Sequence, residues 1–268
     1  MILKKLLAVF KRDGFIFTSK RVLAYVIGHT PLSNKLSFVF YKNLRLYFKP
    51  SMLTYVLFAN KNARDEDTLV LEKFIVSGAT VIDVGAHIGS TTLISASLAG
   101  ETGQVHAIEA SAKFFDILNK NIELNQENQI ANITTHHVAL GDVDETIVYL
   151  NEMVNDDTTN HISNTGSAVT QITLDSIAKG LPTIDFLKID VEGYEPQVLS
   201  GANETLTKTN TIYIEFCSHN LNNKEAEVDI IATLLEHFKL CTFHDGGLIP
   251  FTYQADKEYA TNLIGIKN

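Results

Sequence analysis

Asp83, Glu109, Asp190 with Glu192, and Glu215 all stand at or near the end of a short apolar run in this 268-residue chain. Carboxylates gathered at one edge can accept hydrogen bonds from hydroxyls, take up a proton, attract a cationic ligand or share a metal ion. One of them, Asp83, comes just before the turn Gly85-Ala86-His87-Ile88-Gly89, which leads into the small-residue run Ser90 to Ala99. A strand that turns tightly into a helix leaves backbone N–H groups at the helix start, and glycine lets a ligand come close to them. A dinucleotide turn needs Gly-x-Gly-x-x-Gly and a phosphate loop needs Gly-x-x-x-x-Gly-Lys-Ser/Thr. Neither pattern fits, because Gly85 and Gly89 are spaced Gly-x-x-x-Gly with no lysine after them. Asp83 would also repel a pyrophosphate. A ligand with ribose, amino and sulfonium groups and no phosphate suits the turn better, which describes S-adenosylmethionine. Taken alone, the two glycines fit an ordinary tight turn equally well.

The neighbours add to this. Glu109 follows Gly85 by 24 residues, near the spacing at which a carboxylate after the second strand accepts both ribose hydroxyls. Its plain alternative is a solvated strand end. Val138 and Ala139, at the end of the third strand, are placed to frame an adenine, or else are simply core. Asp190 and Glu192 in Asp-Val-Glu-Gly put two carboxylates on alternating faces beside the ligand, and burying both without partners would be costly. Asp190 has a second reading, as acceptor for backbone N–H groups of the turn before the Glu195 helix. Asp190, Glu192, Glu215 and His219 could also gather a divalent cation to acidify a hydroxyl. His136, His137 and His161 allow core, surface and substrate readings alike.

These groups need a scaffold that delivers them to one edge. From Thr80 onward strands and helices alternate, which predicts a parallel α/β sheet with ligands beyond its carboxyl ends. Strands are expected at Thr80–Ile82, Gln104–Glu109, Ile133–Leu140, Thr146–Leu150, Ala168–Thr173, around Phe186–Ile189, and at Thr211–Phe216, Leu240–Phe243 and Asn262–Ile266. Helices are expected at Ser90–Ala99, Ser111–Asn125 and Lys224–Phe238, with a short one capped by Asp175. Asn151 to Ser167 is too long for a plain connector, and loops of that length often bind or cover ligands. Residues 1–78 read as an N-terminal extension: a first helix, a hairpin of Ser37–Tyr41 and Leu44–Phe48, and a helix over Thr68–Val76 led by Asp65-Glu66-Asp67. Residues 79–268 make the main domain.

The totals narrow the partners. A formal net charge of −9 argues against nucleic acid as the main partner. Cys217 and Cys241 cannot make a disulfide framework, which suits a reducing, cytoplasmic setting. No apolar run approaches the ~20 residues that span a bilayer. The first thirteen residues have an apolar core too short for a signal peptide. They read as an amphipathic helix lying on a membrane or a partner, or packed on its own domain.

The order Val-Ile-Asp-Val-Gly-Ala-His-Ile-Gly, Ile-Glu, Leu-Gly-Asp, Thr-Leu-Asp-Ser-Ile and then Ile-Asp-Phe-Leu-Lys-Ile-Asp-Val-Glu-Gly-Tyr-Glu-Pro-Gln-Val-Leu-Ser-Gly-Ala resembles the FkbM-family methyltransferases. The resemblance covers about Asp65 to Phe216 and is strongest over Lys188 to Ala202. It implies the class I methyltransferase Rossmann-like fold: a central, mostly parallel sheet with helices on both faces, to which this chain adds its helix and hairpin extension. It also implies S-adenosylmethionine as cofactor and a hydroxyl of a sugar, glycan or other small molecule as methyl acceptor. By position, Asp83, Gly85, Ala86, His87 and Gly89 would line the methionine, Glu109 the ribose, and Asp190 the transferring methyl. An alcohol acceptor must lose its proton, and Asp190 and His219 are the candidate bases. The chain departs from the family at Glu109-Ala110-Ser111, where Glu-Pro is usual. Two alternatives compete: a cofactor-binding or scaffold module of the same fold without turnover, and a nicotinamide oxidoreductase, which the glycine spacing disfavours.

Overall fold

A computed structural model describes residues 14–60, 65–151, 161–163, 165–221 and 223–268. The extension contains helix α1 (Phe15–Gly28), a hairpin of β1 (Ser37–Tyr41) and β2 (Leu44–Tyr47), then helices α2 (Met52–Ala59) and α3 (Asp65–Phe74). The first helix expected over residues 1–13 lies outside the described residues. Helices α1 and α2 were not foreseen.

The main sheet is built from β3 (Thr80–Val84), β4 (Gln104–Ile108), β5 (Asn132–His136), β10 (Ile184–Ile189), β11 (Thr209–Cys217), β12 (Phe238–His244), β13 (Gly247–Pro250) and β14 (Ala260–Lys267). Its spatial order is β13-β12-β14-β11-β10-β3-β4-β5. The five strands from β11 to β5 run parallel, and β14 is inserted antiparallel between β11 and β12. The strands flanking this edge alternate with α4 (Ser90–Ala99), α5 (Ala112–Glu123) and α9 (Lys224–His237). The chain moves outward from β3 to β5, then returns to lay β10 on the other side of β3. That reversal opens a crevice at the carboxyl ends of β3 and β10. Register makes it specific: Lys188 pairs with Asp83 and Ile189 with Val84, so Asp190 arrives beside Gly85.

Strands buried on both faces read as unbroken apolar runs. Val81, Ile82 and Val84 are at most 1 % exposed, and so are Phe186, Leu187 and Ile189. Helix α4 is buried along most of its length; its Ser, Thr and Ala residues let it sit close against the sheet. The extension shares this core, since Phe38, Leu44, Leu46 and Leu57 pack in one cluster with Val81, Leu93 and Phe114. Two buried asparagines of the α5 region fasten it further. Asn121 accepts from Tyr47 N at 2.9 Å, and Asn125 accepts from Arg45 N at 2.9 Å and donates to Arg45 O at 2.8 Å. These satisfy backbone groups on the open side of β2 that burial would otherwise orphan.

Three expectations change. The strand predicted over Ile133–Leu140 divides: β5 stays in the main sheet, while β6 (Ala139–Leu140) joins a four-stranded sheet with β7 (Thr146–Asn151), β8 (His161–Ser163) and β9 (Ser167–Ile172). The division comes where Glu109 N takes the carbonyl of His136 at 3.1 Å, after which the chain turns to pair with β9. The long polar segment contains β8, with residues 152–160 and 164 outside the described set. Asp175 does not cap its own helix, α6 (Leu174–Ile177), which Thr173 caps. It accepts instead from the N–H groups of Glu204 and Thr205, at the start of α8 (Asn203–Lys208). Among the described residues no helix is long and apolar enough to cross a membrane.

Candidate active site

Beyond the paired ends of β3 and β10 lies a cavity of about 260 Å³. Its floor is the turn after β3. Gly85 has φ 77°, and a Cβ there would stand 1.9 Å from the Asp190 carbonyl oxygen, so only glycine allows the two strand ends to meet. Gly85 N and Ala86 N donate to Ile108 O at 3.0 and 2.9 Å, and His87 N donates to Glu109 Oε2 at 2.7 Å. The other oxygen of Glu109 accepts from Ser111 N at 2.8 Å. The Ala110 departure therefore leaves the carboxylate held from both sides. Burial raises Glu109 to about 7, against the pull of those two N–H donors.

Gly85, Ala86, His87, Glu109, Val138, Ala139 and Asp190 all line the cavity. Met52, Leu53 and Val56 of α2, Ser90 and Thr91 at the start of α4, and Glu192 and Tyr194 also line it. Asp83 and Gly89 sit behind the wall. Asp83 is fully buried, accepts from the Thr92 hydroxyl at 2.6 Å and faces Lys188 Nζ at 3.4 Å. Gly89 begins α4 with φ 88°, where a side chain would strike Leu118 Cδ1. Neither is among the residues that line the cavity: Asp83 is joined to it through Lys188, and Gly89 shapes the turn.

Lys188 is the residue that the pattern of carboxylates concealed. It is 5 % exposed. Its ammonium group donates to Gly85 O at 2.9 Å and Val84 O at 3.3 Å and lies 3.3 Å from Asp190 Oδ2. It ties the turn, Asp83 and Asp190 together. A lysine inside Phe-Leu-Lys-Ile was itself the signal, since a lysine in a buried strand must be paired.

The β10–β11 side is crowded with acids. Glu192 (φ 55°) and Glu215 share the Asn220 amide at 3.1 and 3.2 Å. Burial first, then repulsion from Glu215, Asp190 and Glu195, lifts Glu192 to about 8. Glu215 is raised too, by burial and then Asp190. Glu195 begins α7 (Glu195–Ser200), accepts from Val191 N and Gly193 N at 3.0 and 3.3 Å, and is raised by burial to about 7. Glu195 thus accepts two N–H groups of the turn that follows Asp190. His219 is exposed in the turn after β11 and lines neither this cavity nor the next. Among the described residues no three His, Cys, Asp or Glu side chains group to hold a metal ion, so the divalent-cation expectation for Asp190, Glu192, Glu215 and His219 finds no support.

A second, smaller cavity of about 100 Å³ adjoins the first through Thr91, Lys188 and Asp190, which line both. Its other walls include Asp67 of α3, Tyr213 and Glu215 of β11, and Asn262 of β14. Tyr213 donates to Asp67 Oδ1 at 2.6 Å and accepts from Asn262 Nδ2 at 2.8 Å. Burial, and then Asp67, raises the phenol far above its usual range. In order along the chain Asp67 reads as a helix-start residue and Asn262 as plain strand; their convergence depends on α3 lying over the sheet.

With this geometry in hand, the likenesses are informative. Residues 83–243 match the model of the Methyltransferase FkbM domain. Over 61 residues the chain is 41 % identical to the 2-O-methyltransferase NoeI of Sinorhizobium fredii; the match takes in 23 % of this chain and 25 % of that protein. The chain thus spans about a quarter of the length of that curated relative. A SAM-dependent O-methyltransferase from Thermotoga maritima superposes with a TM-score of 0.45 at 12 % identity, over 76 % of this chain and 65 % of the other. The O-methyltransferase from Bacillus cereus in complex with SAH gives 0.43 at 15 % identity, over 75 % and 80 %.

Proposed function

The chain belongs to the Methyltransferase FkbM domain family, and from that premise we propose that it is an S-adenosylmethionine-dependent methyltransferase acting on a hydroxyl of a sugar, glycan or other small molecule. The observation that carries this reading is the pair of adjoining cavities hinged on Asp190 and Lys188. The donor set of the first cavity fits the cofactor. Glu109, Asp190 and Glu192 make its lining acidic, and its cation, Lys188, already lies within 3.4 Å of both Asp83 and Asp190. Such a lining favours a sulfonium and an ammonium group and repels a pyrophosphate, which also counts against a nicotinamide dinucleotide.

In this reading Glu109 would accept the ribose hydroxyls, Val138 and Ala139 would flank the adenine, and the turn Gly85–His87 would hold the methionine portion. When bound, the cofactor supplies an electrophilic methyl on a positively charged sulfur. The protein then supplies position, which accounts for much of the acceleration of such a transfer. Asp190 faces both cavities, so its carboxylate can accept the proton of a hydroxyl presented from the second one. Lys188 holds that carboxylate in place. Asp67, Tyr213 and Asn262 offer the alternating donors and acceptors that a hydroxyl-bearing ring would meet. The likeness to a 2-O-methyltransferase supports an oxygen acceptor.

Calorimetry with S-adenosylmethionine, followed by methyl-labelled cofactor with carbohydrate extracts and mass spectrometry of the product, tests the reading. Absence of cofactor binding rejects it. Binding without any labelled product favours the non-catalytic alternative, and label on nitrogen alone corrects the acceptor.

A further inference from the structure

Helix α1 presents the wrong side to the protein. Its buried residues are Thr18, Ala24 and Gly28. Gly28 sits against α2 so closely that a Cβ there would lie 3.0 Å from the Tyr55 hydroxyl. The outward apolar residues of α1 include Ile16, Val22, Leu23 and Val26, between 45 and 73 % exposed. At about 100° per residue these four share one face of roughly 120°, with Lys20 at its margin. Leu32 and Leu36, further along the chain, are also exposed, at 50 and 41 %. An exposed apolar helix face of this kind usually marks a surface that something covers.

Charge indicates what covers it. Residues 1–50 hold ten of the 22 Lys and Arg residues but only one of the 31 Asp and Glu residues. Within the described positions 14–50 there are six basic residues and no acidic one. The rest of the chain is correspondingly acidic. An apolar face with basic flanks matches a bilayer carrying negative headgroups, where apolar burial and lysine attraction add. A second copy would set two basic extensions against each other. At 14 residues the helix is too short to cross a bilayer, which needs about 20.

We propose that α1 lies flat on an anionic lipid surface and that this extension is a peripheral membrane-docking device. It packs on α2, whose Met52, Leu53 and Val56 line the first cavity, so the docked surface is one helix away from the site. The proposal stands independently of the methyl-transfer reading.

Flotation of the full-length protein with phosphatidylcholine vesicles, with and without about a third phosphatidylglycerol, tests it. The expected result is partition onto the anionic vesicles at low salt, weakened by high salt, and little onto phosphatidylcholine alone. Lys20→Glu should weaken partition roughly tenfold. Leu23→Glu with Val26→Glu should abolish it while leaving the thermal melt and S-adenosylmethionine affinity unchanged. Failure of the wild type to float, or flotation that survives the double substitution, overturns the proposal. Light scattering that shows a dimer which the double variant converts to monomer, without vesicle binding, reassigns the face to a second copy and also overturns it.

Discussion

The carboxyl edge of the sheet has two halves that treat buried charge in different ways. On the β3–β4 side the carboxylate that lines the cavity, Glu109, is gripped by two backbone N–H groups. On the β10–β11 side Asp190, Glu192, Glu195 and Glu215 crowd around Lys188 and Asn220, and repulsion adds to burial in lifting Glu192 to about 8. The first half is a receptor set in advance by the backbone. The second holds electrostatic tension that an incoming cation can relieve. Cofactor affinity should therefore depend mostly on the first half, and the integrity of the edge on the second.

The strongest way to break this comparison is to remove the lysine. Lys188→Met leaves Asp83 fully buried without its cation, and breaking a buried pair from one side costs about 3–5 kcal/mol. Urea unfolding should show that loss, and Asp83→Asn in the same chain should recover much of it. An unchanged midpoint in the single variant would mean that the tie between the turn and Asp190 contributes little. Gly85→Ala should be comparably damaging, since its Cβ meets the Asp190 carbonyl; Gly89→Ala should be milder, because the clash is with a movable Leu118 methyl.

Glu109→Gln probes the other half. Losing a charge-assisted acceptor should weaken S-adenosylmethionine binding by about 10–100-fold, the equivalent of ~1.5–3 kcal/mol. Folding stability should fall as well, by about 1–3 kcal/mol, because the Gln amide nitrogen cannot accept one of the two backbone N–H groups that the carboxylate holds. Calorimetry and thermal melts separate the two effects. Equal affinity in the variant would reduce Glu109 to a strut for the turn.

The pH response follows from the same raised groups. Glu109, Glu192 and Glu195 have folded values of about 7, 8 and 7 against an ordinary 4.5. Between these limits the folded state binds more protons than the unfolded one. The stability they contribute is thus complete below about 4.5 and lost as pH rises through about 7–8. The ligand-free melting temperature should fall across that window. Affinity for the cationic cofactor should rise roughly tenfold between about pH 6 and 8, as the carboxylates ionise. A flat affinity profile would disconnect these groups from the ligand.

What the sequence made legible depended on how local each feature was. The turn Gly85–Gly89, helix Ser90–Ala99 and the hairpin at Lys42-Asn43 come from contiguous residues, and their signals survive being read in order. Asp190 beside Gly85 was legible as two strand ends, since a parallel sheet brings such ends together. The split of Ile133–Leu140 was not, because nothing within the run marks a change of sheet; His136 and Val138 look alike until β9 is there to pair with Ala139. Lys188 reads in order as a spacer between apolar residues, and proximity in sequence to Glu215 does not by itself turn the exposed His219 toward either cavity. Asp67, Tyr213 and Asn262 come from positions 195 residues apart in all, and only the packing of α3 over β11 and β14 joins them.

That last trio gives the finest test of the comparison, and the smallest expected effect. Tyr213→Phe removes one hydroxyl that both donates to Asp67 and accepts from Asn262. The shape of the wall is kept, so the stability change should stay near ~1 kcal/mol, the usual worth of such bonds. Neither partner lines the first cavity, so S-adenosylmethionine affinity should be unchanged. If the second cavity receives the acceptor, the KM for that acceptor should rise severalfold while kcat changes less, because Asp190 and Lys188 are untouched. A fall in cofactor affinity instead would mean that the two halves of the edge are mechanically one, with α3 pressing on the turn through Thr91. Unchanged kinetics in both substrates would return the trio to a purely structural role, fastening the extension to the sheet.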